Sequence, residues 1–182
     1  MAAAPDNLPK AVVSGYAPSP FFYAQTSPSG AVRWVAWSGD VEQTRRLVYD
    51  VLKQFSPHAQ VLLKVDKQDV PDGPVWTRYH GEAPLAKVVG AIRDNEPFVF
   101  QDGYTQLCVR DDDTGEYIAL DEYGLLWIYA DDDRFVEVCR RNGFEERPEH
   151  LISDGGHYRR SLADAAEQRD RFLRELDLEE VD

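Results

Sequence analysis

Residues 98–129 read FVFQDGYTQLCVRDDDTGEYIALDEYGLLWIY, and this stretch decides the fold class. Its apolar and β-branched runs are separated by three turn signals: Asp102-Gly103, the Asp112-Asp113-Thr114-Gly115 cluster, and Glu122-Tyr123-Gly124. Asp-Gly between two such runs suits the positive φ angles of a type I′ hairpin turn. Four strands follow as an expectation, at 98–101, 104–110, 117–121 and 125–129, joined as an antiparallel meander. The last of them is apolar on both faces and belongs in a covered position.

Upstream, residues 31–37 (AVRWVAW) read as a strand rich in β-branched and aromatic side chains. Ser38, Gly39 and Asp40 offer N-cap chemistry. Leu47, Val48, Val51, Leu52 and Phe55 then recur at spacings of three and four, one face of a helix over 41–55 that stops at Ser56-Pro57. Residues 60–65 make a second strand, which completes a β-α-β unit. A Gly- and Pro-rich connection is expected over 66–82. A helix over 84–95 follows, with Pro84 in its first turn and Leu85, Val88, Val89 and Ile92 on one face.

Downstream, Phe135, Val138 and Cys139 mark a short helix that Asn142-Gly143 closes. Residues 144–158 read as irregular. Ser161 is placed as the cap of a last helix carrying Leu162, Phe172, Leu173 and Leu176. Residues 1–30 hold five prolines, which disfavours regular structure, yet the adjacent Phe21, Phe22 and Tyr23 require this arm to pack on the domain. The expectation is one α+β domain over 31–182. It has an antiparallel sheet, the β-α-β unit plus the four-stranded meander, with helices packed mainly on one face.

Composition narrows the function. The 182 residues carry 33 acids and 20 bases, a net charge of −13, which argues against nucleic acid as partner. No apolar run is long enough for a membrane span. Residues 1–10 lack the basic and apolar regions of a signal peptide, so a cytoplasmic location is expected. Cys108 and Cys139 lie among apolar neighbours and read as free, buried thiols. The charge is uneven: residues 1–91 hold 8 acids and 9 bases, residues 92–182 hold 25 acids and 11 bases. An acidic half can steer a basic partner, or it can serve solubility alone.

Motifs that demand chemistry are few. Asp111, Asp113 and Glu122 fall at positions 1, 3 and 12 of an EF-hand spacing, but Glu116 stands where the loop needs Gly and the flanks are strands. Asp131, Asp132 and Asp133 suit a helix N-terminus as well as a cation. No zinc spacing and no phosphate-cradling loop occurs, so no metal and no cofactor is expected. His80 and Glu82 resemble half of a deaminase signature whose second half is absent. Ser153, Asp154 and His157 lie within one glycine-containing loop and are the alternative place for a general base.

The favoured expectation is a non-catalytic, acidic protein-binding domain, of the physical type of immunity proteins and antitoxins that inhibit a basic partner. Its contact surface is placed at Asp111, Asp112, Asp113, Tyr117, Asp121, Glu122, Tyr123, Asp131, Asp132 and Asp133, where tyrosines lie among acids. The alternative is a small hydrolase using His80 or His157 with Glu82, Ser153 and Asp154. A third possibility is a ligand held on a Trp- and Tyr-lined sheet face.

Overall fold

Burial alternates along the central strands and sets one face of the sheet. In β4 (His58–Lys67), Ala59, Val61 and Leu63 are buried while Gln60, Leu62 and Lys64 on the other face are only half-buried. The same two-residue period buries Leu107 and Val109 in β6 (Thr105–Asp111), Ile118 and Leu120 in β7 (Tyr117–Leu120), and Leu126 and Ile128 in β8 (Leu126–Tyr129). The computed structural model describes residues 9–13, 20–26, 30–67, 75–130, 133–148 and 157–182.

Among the described residues, these strands belong to a nine-stranded mixed sheet. The other members are β2 (Phe21–Thr26), β3 (Val32–Trp37), β5 (Val75–Pro84), β9 (Glu145–Glu146) and β11 (Glu179–Val181). The order is β11-β5-β4-β6-β7-β8-β3-β2-β9. Every pairing is antiparallel except β2 with β9, which is parallel. β1 (Ala11–Val13) and β10 (His157–Arg159) form a separate antiparallel pair.

Among the described residues, five helices pack on the face that Val61, Val109 and Ile118 line. They are α1 (Val41–Leu52), α2 (Leu85–Asp94), α3 (Glu96–Gln101), α4 (Arg134–Arg141) and α5 (Ala165–Leu176). Leu47, Val51, Val88, Ile92, Phe98, Phe135, Phe172 and Leu176 share one core with the inward strand residues. Asp40 caps α1, its carboxylate accepting from the Gln43 amide at 3.0 Å. Gly143, at φ +81°, ends α4 in the left-handed conformation that its sequence position predicts. Among the described residues no helix is long and apolar enough to cross a membrane.

The fold departs from the sequence reading at several places. The sheet is mixed rather than wholly antiparallel, because the two-residue β9 runs alongside β2 in parallel. The meander has three strands, since residues 98–101 belong to helix α3. Pro97 in the first turn favours helix there, and Phe98, Val99 and Phe100 are all buried, which no single strand face would allow. Gly103 is absent from the glycines with positive φ. A Cβ there would stand 2.5 Å from the Lys10 carbonyl oxygen, so close backbone approach requires the glycine, not a type I′ turn. The stretch expected as a connection over 66–82 contains most of β5. The arm over 1–30, expected to be irregular, contributes β1 and β2, and Phe21, Phe22 and Tyr23 are buried. Residues 144–158 contribute β9 and the start of β10. The cap of α5 is Asp164, not Ser161.

The β-α-β unit exists, but its strands are not neighbours. β6, β7 and β8 insert between β4 and β3, and the chain of antiparallel pairings makes β3 and β4 run in the same direction.

Candidate functional site: the outer sheet face

The face turned away from the helices divides into two regions. Around β2, β3 and β8, Phe21, Tyr23, Val35 and Leu125 form a small second core, with Trp37, Tyr123 and Trp127 packed on it. Around β5, β4, β6 and β7 the outward side chains line a shallow groove of about 360 Å³. Leu62 and Cys108 form its apolar floor; Lys64, His80, Arg110 and Tyr117 stand around them. Four strands supply these residues, and the two-residue period puts each on the outer face.

A fixed aromatic strip borders the groove. The rings of Tyr117 and Tyr129, register partners on β7 and β8, stack with centroids 4.0 Å apart and planes 13° apart. The Arg33 guanidinium lies 4.5 Å from the Trp127 ring centre and 5.8 Å from that of Tyr129. It donates to Gln25 Oε1 at 2.6 Å and to the Tyr129 hydroxyl at 3.1 Å. Trp127 Nε1 donates to Asp121 Oδ2 at 2.8 Å, which fixes the indole from its other edge. Burial, with Tyr129 alongside, pushes the Tyr117 hydroxyl up to about 12, so it is a neutral donor at physiological pH.

The residues placed on a partner surface by sequence separate into distinct groups. Asp111 is 1% exposed, and its carboxylate accepts from the Ser56 amide and hydroxyl and from the Asp113 and Thr114 amides, at 2.7–3.1 Å. Burial works against its charge, but these donors outweigh it and hold the carboxyl below its ordinary value. Asp111 is therefore a staple between the β6–β7 turn and the end of α1, not a contact residue. Asp121 likewise ties the β7–β8 turn, accepting from the Tyr123 and Leu125 amides and from Trp127. Burial pushes its carboxyl up to about 6 despite these bonds, with the Glu122 charge adding to the rise. Tyr123 packs on the second core, and Glu122 accepts from Gln106 Nε2.

Asp112 and Asp113 are exposed at one end of β7, whereas Asp121, Glu122 and Tyr123 lie at the other. Asp133 caps α4 without a side-chain cap bond and is exposed. The neighbouring Arg134 pairs with Glu116, which brings Asp133 to the Asp112–Asp113 end. Asp131 and Asp132 lie outside the described residues. The expected single surface is thus two ends of a short strand, with Tyr117, Asp112, Asp113 and Asp133 at one of them.

The alternative catalytic residues are dispersed. His80 and Glu82 share the outer face of β5, with His80 opposite Leu62 and Glu179 and Glu82 opposite Gln60. His157 belongs to β10 in the other sheet, opposite Val13. Ser153 and Asp154 lie outside the described residues. Among the described residues no group of three or more His, Cys, Asp or Glu could hold a metal ion. Cys108 and Cys139 are free thiols on opposite sides of the sheet; burial pushes the Cys139 thiol up to about 12.

Sequence reasoning missed Arg33, Lys64, Cys108 and Arg110. Their strand parity was readable, but not that β6 and β8 sit beside β4 and β3. The same interleaving sets blocks of strands from the two halves side by side in one sheet, so the division at residue 91 does not separate two sides of the molecule. Comparison with family models, with curated proteins and with solved structures finds no match.

Proposed function

We propose that this chain is a non-catalytic protein-binding domain whose partner seats on the outer sheet face, and that the partner is a basic protein. The observation that carries the reading is the strip of Trp127, Tyr129 and Tyr117, held rigid by Arg33 and Asp121 beside an apolar-floored groove. Aromatic side chains that are already fixed bury large area at small entropic cost on binding. The net charge of −13 favours encounter with a basic protein. Asp112, Asp113 and Asp133 are exposed at the end of the strip where Tyr117 stands, beside the groove's own Lys64 and Arg110, which would meet acceptor groups of that partner. An inhibitor of immunity or antitoxin type, working in the cytoplasm with both thiols reduced, is the functional class this combination suits.

The test is capture of partners from the source cell's lysate at low and high salt. A basic protein is retained at low salt and weakened at high salt. Tyr117→Ala weakens its retention by about 2 kcal/mol, the scale of an aromatic hot spot. Asp112→Asn with Asp113→Asn slows association and flattens its salt dependence. Arg174→Ala, on the helix side, leaves retention unchanged. Equal retention by all the variants contradicts the placement on the outer face.

A further inference from the structure

On the helix side, remote from the outer face, a cleft of about 600 Å³ opens between the ends of β4 and β5, the α3–β6 connection and the first turn of α5. Its volume falls inside the range of roughly 300–1,000 Å³ typical of small-molecule sites. The lining combines aromatic rings with hydroxyls: Tyr79 and Tyr104 supply rings, with the core residue Phe98 buried behind the wall, and Thr77 and Ser161 join the two tyrosines in supplying hydroxyls.

The charged groups at the cleft are largely committed. Asp66 is 6% exposed and pairs with Arg159 at 2.7 Å. The Arg159 guanidinium also lies 4.4 Å from the Tyr104 ring centre, which fixes that ring at the wall. Arg169 pairs with Asp170 at 2.8 Å. Asp102 is 2% exposed, and its carboxylate accepts from the Leu162 amide at 3.4 Å and from the Tyr104 amide, with the Lys10 charge nearby. It retains acceptor capacity, because a carboxylate has about four lone-pair sites. Lys67 and Glu180 stand at the wall with opposite signs.

A wall of hydroxyls, aromatic rings and balanced charge does not select a strongly charged ligand. It matches a neutral molecule with many hydroxyls and one apolar face, which can donate to carboxylates, exchange bonds with Tyr, Thr and Ser, and lie against a ring. From this geometry we propose that the cleft is a binding site for a neutral polyhydroxylated ring, a monosaccharide or a short glycan. The site is independent of the outer face, so either assignment can fail without the other.

The experiment is saturation-transfer NMR on the full chain with D-glucose, D-galactose, D-mannose and N-acetylglucosamine, beside inorganic phosphate and glycine as charged and zwitterionic probes. The expected result is saturable binding of at least one sugar. Ala166→Trp places an indole at the cleft from an exposed position on α5 and should weaken that binding by about tenfold or more, with an unchanged far-UV circular dichroism spectrum. Asp102→Asn, which keeps the shape and removes the charge, should weaken it less. No saturable sugar binding at tens of millimolar, tighter binding of phosphate or glycine, or an undiminished affinity in Ala166→Trp would each overturn the proposal.

Discussion

Asp111 accepts four hydrogen bonds within a buried corner, and its removal would leave several donors of that corner unsatisfied. Hydrogen bonds to a charged group contribute about 1.5–3 kcal/mol, and orphaned buried donors add a desolvation cost. Asp111→Ala is therefore expected to lower unfolding stability by about 3 kcal/mol in urea titration; a loss below about 1 kcal/mol would show the staple to be dispensable. Asp121 behaves differently with pH. Its folded carboxyl sits at about 6, above the unfolded value near 3.9. Its contribution is fully present below the unfolded value and is lost as pH rises through 6, about 3 kcal/mol between the two limits. Asp121→Asn should remove that component of the stability–pH curve between about pH 4 and pH 7, and a curve of unchanged slope would refute the assignment. Both aspartates stood out in sequence as candidate contacts. Nothing local in the chain distinguishes an exposed acid from one that closes a turn, because the partners of Asp111 include Ser56, 55 residues away.

Elements that rest on local chemistry were legible, and those decided by tertiary packing were not. The Asp40 cap, the α1 face of Leu47, Val48, Val51 and Leu52, and the Gly143 stop all follow from neighbours in the chain. α3 does not: its FVF run carries strand formers, and burial of all three side chains against the core overrides that preference. β5 was hidden by Gly81 and Pro84, although Gly81 sits where a Cβ would meet Leu178 Cδ2 at 2.7 Å. The β1–β10 pair depends on Gly103 in the same way. Gly103→Ala would press a methyl group against the Lys10 carbonyl and the Arg160 amide, the latter 2.9 Å from the added carbon. Loss of hydrogen-exchange protection at the Gly103 and Arg160 amides, which now donate across this contact, is the expected outcome. Retained protection would mean that the two strands can move aside at little cost.

At the scale of the molecule, the sheet's edges and outer face determine what can dock. β11 is a three-residue edge strand, exposed throughout, whose two glutamates oppose pairing with another chain. Glu179→Val with Glu180→Val should convert it to an adhesive edge, seen as concentration-dependent self-association in sedimentation; a monodisperse variant would assign the protection to another feature. The α+β class and the helices on one face were readable from sequence because hydrophobic period alone specifies them. The aromatic strip was not, since Arg33, Trp127, Tyr129 and Tyr117 meet only through the β3-β8-β7 order. The central claim is that this outer face is where a partner sits, and Cys108 reports on it directly. It is half-buried in the groove floor, whereas Cys139 is fully buried in the core. The decisive measurement is the rate of Cys108 alkylation in the free chain and in the chain bound to the protein it retains at low salt. The account predicts at least about tenfold slower labelling in the complex. An unchanged rate in a stable complex, or the retention of no protein at all, would contradict it.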